Sequence, residues 1–223
     1  EKWVVLDKNN NEFAINKNDF STVINNEKIQ FDCVFNAIHG TPGEDGKILA
    51  YLELLGIKHT SAPFYQMALT FNKRDCLSVV KQYGIKTATS YFLNNGDTIN
   101  TKNIIDKVGL PCFVKPNNAG SSYGISKVKN IEELIPAIEK AYKEDTEILI
   151  ESFLDGREVT IGVLQYKNEI KVLPITEIVT DNDFFDYEAK YEGKSDEITP
   201  ANLSQKLKET LEKVAIKTYK SLN

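Results

Sequence analysis

Short apolar runs bounded by polar turns alternate along the chain with stretches of helical period, and their order predicts a mixed α/β protein. Val4-Val5-Leu6 reads as a strand, and so does Phe31-Asp32-Cys33-Val34-Phe35-Asn36-Ala37-Ile38. A glycine-rich turn from His39 to Gly46 follows, then a helix from Ile48 to Leu55 closed by Gly56, then a short strand from Ile57 to Thr60. Strand, loop, helix and strand in that order predict a small parallel α/β unit. Such units gather ligand groups at the carboxyl ends of their strands, and the His39 turn lies at one. Helices are expected from about Phe64 to Leu69 and from Lys73 to Tyr83, the second ended by Gly84.

From Tyr91 to Lys171 strands dominate. Cys112 to Lys115 is a strand stopped by Pro116, Asn117 to Gly124 a loop, and Ile125 to Val128 a strand. Asn130 with Glu133 makes a capping-box-like start to a helix with Ile131, Leu134, Ile135, Ile138, Ala141 and Tyr142 on one side. Pro136 inside that pattern predicts a kink or a later true start. Ile148 to Ile150 is a strand, and Val159 to Tyr166 with Ile170 to Ile175 reads as a hairpin. Thr176 to Thr199 reads as a long aromatic and charged loop, of a length usually tied to function. Leu203, Leu207, Leu211, Val214 and Leu222 mark a last apolar helical face.

Composition narrows the function classes. Hydrophobic residues make up 41% and charged residues 26%, which suits an ordinary folded core, and the net charge of -5 disfavours a nucleic-acid partner. The apolar runs are too short to span a bilayer, and Glu1-Lys2-Trp3 leads into a strand rather than a signal peptide. A cytoplasmic protein without a membrane partner is expected. Cys33, Cys76 and Cys112 are odd in number and have no CxxC spacing, so they read as reduced core thiols. Both ends read as cut, because the first strand is already under way at Val4 and the last helix has nothing after it to pack beneath.

Four clusters carry candidate chemistry. In Phe113-Val114-Lys115-Pro116-Asn117-Asn118-Ala119-Gly120-Ser121-Ser122-Tyr123-Gly124 a lysine leaves a strand and a small flexible loop follows. Phosphate binding needs such a fixed cation and exposed backbone N–H groups, although a plain hairpin is the commoner use of the pattern. The spacing is not that of a Walker loop. In Ile148-Leu149-Ile150-Glu151-Ser152-Phe153-Leu154-Asp155-Gly156-Arg157-Glu158 a buried strand delivers one carboxylate and a short linker another. Such carboxylates accept hydrogen bonds from an amino group and from ribose hydroxyls, or are simply solvated. Phe184-Phe185-Asp186-Tyr187-Glu188-Ala189-Lys190-Tyr191 places dense aromatics and a cation in a polar loop, as an aromatic plug also would. Asn36-Ala37-Ile38-His39-Gly40-Thr41-Pro42-Gly43-Glu44-Asp45-Gly46 puts a histidine and two acids on a tight turn at a strand's end, where a lone histidine is either structural or part of a site.

Each cluster is weak alone, but their order from about Phe31 to Asn223 resembles the D-alanine–D-alanine ligase family of the ATP-grasp superfamily. The resemblance rests on HG-x-x-GEDG, a lysine after the Phe64–Leu69 helix, FVKP-x-x-x-GSS-x-G, E-x-F-x-x-G-x-E and DYEAKY. It implies an α/β, ATP-grasp fold with a partial N-terminal parallel α/β lobe. The lobes it implies are 1–62 for substrate, 63–150 for the central ATP-grasp lobe and 151–223 for an incomplete C-terminal one. It implies ATP and Mg²⁺ or Mn²⁺ as cofactors, D-alanine as substrate, and a homodimer in the intact protein.

By motif matching, Lys73 and Lys115 would hold the ATP phosphates and Lys190 would meet the transferred phosphoryl group. Glu151 would take the adenine amino group, Leu154 the ring edge through its backbone, and Glu158 the ribose. Phe153 would line the adenine pocket. Ser121 and Ser122 would close over the phosphates, and Tyr191 would hydrogen-bond toward Ser121. His39 and Glu44 would lie near the substrate. Tyr191 also favours an amine as second nucleophile, since related D-alanine–D-lactate ligases commonly carry phenylalanine there. The family's metal ligands would lie beyond Asn223, so this chain, if complete, is expected to be nearly inactive. A depsipeptide-forming or other ATP-grasp ligase and a non-catalytic nucleotide-binding module are the alternatives.

Overall fold

A computed structural model describes residues 2–180 and 195–222. It divides into two compact units, Glu1–Thr70 and Phe71–Asn223.

The N-terminal unit opens with an antiparallel meander of β1 (Val4–Leu6), β2 (Glu12–Asn16), β3 (Ser21–Ile24) and β4 (Glu27–Ile29). Only its first strand is among those expected above. The turn between β3 and β4 is Asn25-Asn26, with φ of 52° and 64°. Two consecutive left-handed residues match the twist of a hairpin, and asparagine tolerates them. The parallel unit follows as expected: β5 (Cys33–Val34), α1 (Lys47–Leu54) and β6 (Lys58–His59), with Cys33 opposite Lys58. β5 is far shorter than the run Phe31 to Ile38. Asn36 takes the chain out of the ladder: its Nδ2 donates to Gly43 O (3.3 Å) and Ser61 Oγ (3.0 Å), and its Oδ1 accepts from the Ile38 N–H. Side-chain bonding of this kind competes with sheet pairing. Cys33 is exposed, not a core thiol. Helix α2 (Phe64–Phe71) ends the unit.

The second unit begins with α3 (Lys73–Gln82), capped by the Asn72 side chain on the Asp75 N–H. Its main sheet consists of β7 (Ser90–Asn94), β8 (Cys112–Pro116), β9 (Ser126–Val128) and β10 (Glu147–Ser152), in the antiparallel order β7-β10-β8-β9. Two helices, α4 (Thr101–Val108) and α5 (Leu134–Ala141), cover one face. Leu93, Val114, Ile148 and Ile150 pack there against Ile104 and Val108 of α4 and Leu134, Ile138 and Ala141 of α5. The expected cap forms, since Asn130 Oδ1 accepts from the Glu133 N–H. A 3-10 turn over Ile131–Glu133 precedes α5, which leaves Pro136 in the first turn, where its missing donor costs nothing.

A second sheet follows, made of β11 (Glu158–Thr160), β14 (Thr176–Thr180) and β15 (Ser195–Ile198), with β12 (Val163–Tyr166) and β13 (Glu169–Val172) forming a separate hairpin. The expected hairpin is thus real only from Val163, because Glu158–Thr160 pairs with β14 instead. The stretch Thr176 to Thr199 is not all loop: its two ends are the paired strands β14 and β15. Helix α6 (Gln205–Leu222) packs on α3 and the β12–β13 hairpin. Among the described residues no helix is long and apolar enough to cross a membrane.

Candidate functional site

The side of the main sheet away from α4 and α5 carries the chemistry. Strand residues alternate between faces. Cys112 and Val114 point into the core, and so Phe113 and Lys115 point the other way, with Leu149 opposite Lys115 and Glu151 opposite Phe113. Lys115 Nζ donates to Glu151 Oε2 at 2.8 Å, and only 12% of the Glu151 side chain is exposed. The Phe113 and Phe153 rings lie 6.1 Å apart, and Lys127 Nζ sits 4.4 Å from the centre of the Phe153 ring. A cation over an aromatic face is attracted by the ring quadrupole.

This face and the second sheet enclose a cleft of about 850 Å³. Its lining brings together Lys115, Glu151, Phe153, Leu154 and Glu158, five of the residues expected at a nucleotide site. Glu177, Ile178, Val179 and Thr180 of β14 form the opposite wall. The motif reading missed Arg157 and Glu177. Arg157 grips both carboxylate oxygens of Glu177 through its Nε and a terminal nitrogen, and donates to Asn202 O at 2.9 Å. The Arg157 guanidinium holds the Glu177 carboxyl below the usual carboxylate range. The signal was one carboxylate among Ile175, Ile178 and Val179, since a carboxylate buried beside apolar residues needs a cation.

The loop after Lys115 is held at its start. Lys73 Nζ donates to the carbonyls of Asn117 (3.2 Å) and Ala119 (2.8 Å). Ser121 and Ser122 both take left-handed conformations, with φ of 49° and 59°. Non-glycine residues in that region are uncommon and cluster at functional turns. Gly124 closes the loop at φ 70°, and a Cβ there would meet Pro116 Cγ at 2.7 Å. Only glycine fits on both counts.

His39 and Glu44 belong to the N-terminal unit. His39 is exposed, while the Glu44 carboxylate accepts from the Gly40 N–H at 2.7 Å and so braces its own turn. Gly43 is required there, because a Cβ would come within 2.4 Å of Ile38 O. The expected residues Lys190 and Tyr191 lie outside the described residues. Burial pushes the Cys112 thiol up to about 11, which fits a core thiol rather than a nucleophile. Among the described residues no group of three or more histidine, cysteine or acidic side chains is placed to hold a metal ion, so these residues do not by themselves fit the expected Mg²⁺.

A family profile described as D-ala D-ala ligase C-terminus matches residues 79–223. The D-alanine–D-alanine ligase of Flavobacterium johnsoniae is 68% identical over 222 residues, which is 100% of this chain and 69% of that protein. The solved D-alanyl-alanine synthetase A of Vibrio cholerae superposes with a TM-score of 0.82 at 25% identity, over 96% of this chain and 66% of that one. The D-alanine–D-alanine ligase of Bacillus anthracis complexed with ATP gives 0.72 at 29% identity, over 86% and 60%. The chain therefore spans about two thirds of the length of the proteins it matches. With these matches over the sheets that enclose the cleft, the α/β architecture is that of the ATP-grasp fold, and the chain belongs to the D-alanine–D-alanine ligase family.

Proposed function

We propose that this chain carries the nucleotide site of a ligase that joins two D-alanines at the expense of ATP, for peptidoglycan precursor synthesis in the cytoplasm. The γ-phosphoryl group of ATP passes to a carboxylate oxygen of the first D-alanine, giving ADP and an acyl phosphate. The amine of the second D-alanine then attacks the acyl carbon, loses a proton, and expels phosphate. The first step turns a poor acyl donor into a good one. Its transition state spreads charge over the phosphoryl oxygens, so cations must surround it.

The observation that carries the reading is the Lys115–Glu151 pair on the cleft wall, a donor and an acceptor 2.8 Å apart. Adenine presents an amino donor at N6 beside an acceptor at N7, whereas guanine presents two acceptors there. A carboxylate at Glu151 therefore matches adenine and repels guanine. Glu158 takes the ribose hydroxyls, Phe153 and the Leu154 backbone hold the ring, and Lys73 and Lys115 serve the phosphates. Ser121 and Ser122 close over them. Lys190 meets the transferred group, Tyr191 bonds toward Ser121, and His39 with Glu44 serves the amino-acid end. The division into lobes 1–62, 63–150 and 151–223 and a homodimeric assembly belong to the same proposal.

The test grafts this chain in place of the matched part of the Flavobacterium johnsoniae relative and follows phosphate release from ATP. Release that requires D-alanine and disappears in Lys115→Ala is the expected result. A folded but inactive graft, or release indifferent to Lys115, contradicts the proposal.

A further inference from the structure

Asn117 is a polar residue that is 1% exposed, and every polar group it has is engaged. Its N–H donates to Glu147 O at 2.9 Å, and its carbonyl accepts from the Lys73 N–H (3.3 Å) and Nζ (3.2 Å). Its side-chain Oδ1 accepts from the Arg74 N–H at 2.8 Å, and its Nδ2 donates to Glu147 Oε2 at 2.8 Å. The other Glu147 oxygen accepts from Arg74 at 2.7 Å, and a second Arg74 nitrogen donates to Asn94 Oδ1 at 3.3 Å. Asn117, Glu147 and Arg74, the last through both its backbone N–H and its guanidinium, therefore form a closed ring joining the first turn of α3, the end of β8 and the start of β10. None of the three is expected to touch the nucleotide.

We propose that Arg74, Asn117 and Glu147 are positioning residues that set Lys73 and the 117–124 loop for the nucleotide's phosphate groups. Lys73 directly precedes Arg74 and its Nζ reaches the carbonyls of Asn117 and Ala119, so the ring fixes Lys73 against the start of the 117–124 loop. It acts on one end of the ligand only. Glu147 and Glu151 are four residues apart on β10, about 13 Å at the rise of a strand. The ring thus governs affinity for the phosphates and leaves the nucleoside alone. The inference rests on the nucleotide reading of the cleft.

The experiment compares ATP and adenosine binding to the full chain by titration calorimetry, with thermal melting as the control for folding. Asn117→Asp keeps the acceptor for the Arg74 N–H but sets a carboxylate against Glu147. ATP affinity falls roughly tenfold while adenosine affinity stays within about twofold. Adding Glu147→Gln to the same chain restores a donor across the contact, and ATP affinity returns to within about threefold of wild type. Arg74→Leu, at the more exposed side of the ring, gives the same selective loss if the buried carboxylate prevents folding. ATP binding unchanged in both single variants, parallel loss of adenosine, or no rescue by Glu147→Gln overturns the proposal while leaving the nucleotide site standing. A wild-type chain that binds ATP no better than adenosine overturns the phosphate reading itself.

Discussion

The two faces of the β7-β10-β8-β9 sheet are built from the same strands and do opposite work. On one, Val114, Ile148 and Ile150 are fully or almost fully buried against α4 and α5, and no charge intervenes. On the other, one residue along each strand, Lys115 and Glu151 face a cleft and neutralise each other. The dry face supplies stability through burial and close packing. The wet face retains a charged pair whose desolvation offsets much of its attraction, so that pair is weak evidence for stability and stronger evidence for a ligand. A one-residue slip of β10 would exchange the two faces, so its register serves both at once.

The largest effect expected of this arrangement is on the dry face. Ile150→Ala opens a cavity at a residue with 0% exposure and costs about 2–5 kcal/mol, read by denaturant melting. Its neighbour behaves differently. Lys115→Ala leaves the buried Glu151 without its cation, costing about 1–3 kcal/mol, while Lys115→Met with Glu151→Leu recovers most of that stability and abolishes ATP binding. If the double variant still bound ATP, the contrast between the faces would fail.

A smaller effect concerns the opposite wall. The folded-state pKa of Glu177 lies below its unfolded value because of Arg157. The stability from this pair is therefore complete above the unfolded carboxyl pKa of about 4.3 and is lost as pH falls through the lower folded value. The stability difference between wild type and Glu177→Gln should be constant at neutral pH and shrink below about pH 4. A difference that does not change in acid would show that the carboxylate charge is not what Arg157 holds.

How legible these regions were follows from what each depends on. The face carrying Lys115 and Glu151 could be read from strand alternation, because the side of the sheet a residue faces is set within a few positions of chain. The ring at Asn117 could not, since its partners Arg74 and Glu147 are 43 and 30 residues away and only the tertiary fold brings them together. Strands β14 and β15 were hidden for another reason: Thr176, Glu177, Ser195, Asp196 and Glu197 have the polarity of a loop. They pair antiparallel nonetheless, and tertiary pairing overrides weak propensity in such strands. The meander over residues 4–29 was marked by the Asn25-Asn26 turn, but its short half-polar strands hold few apolar residues.

The central claim is that the cleft beside Lys115 and Glu151 selects an adenine nucleotide. The most direct measurement titrates the chain with ATP and with GTP, in wild type and in Glu151→Gln. The account predicts ATP at least tenfold tighter in wild type, and a preference that largely collapses in the variant, whose amide can donate to the guanine carbonyl. Equal affinity for the two nucleotides in wild type, or a preference untouched by Glu151→Gln, would contradict it.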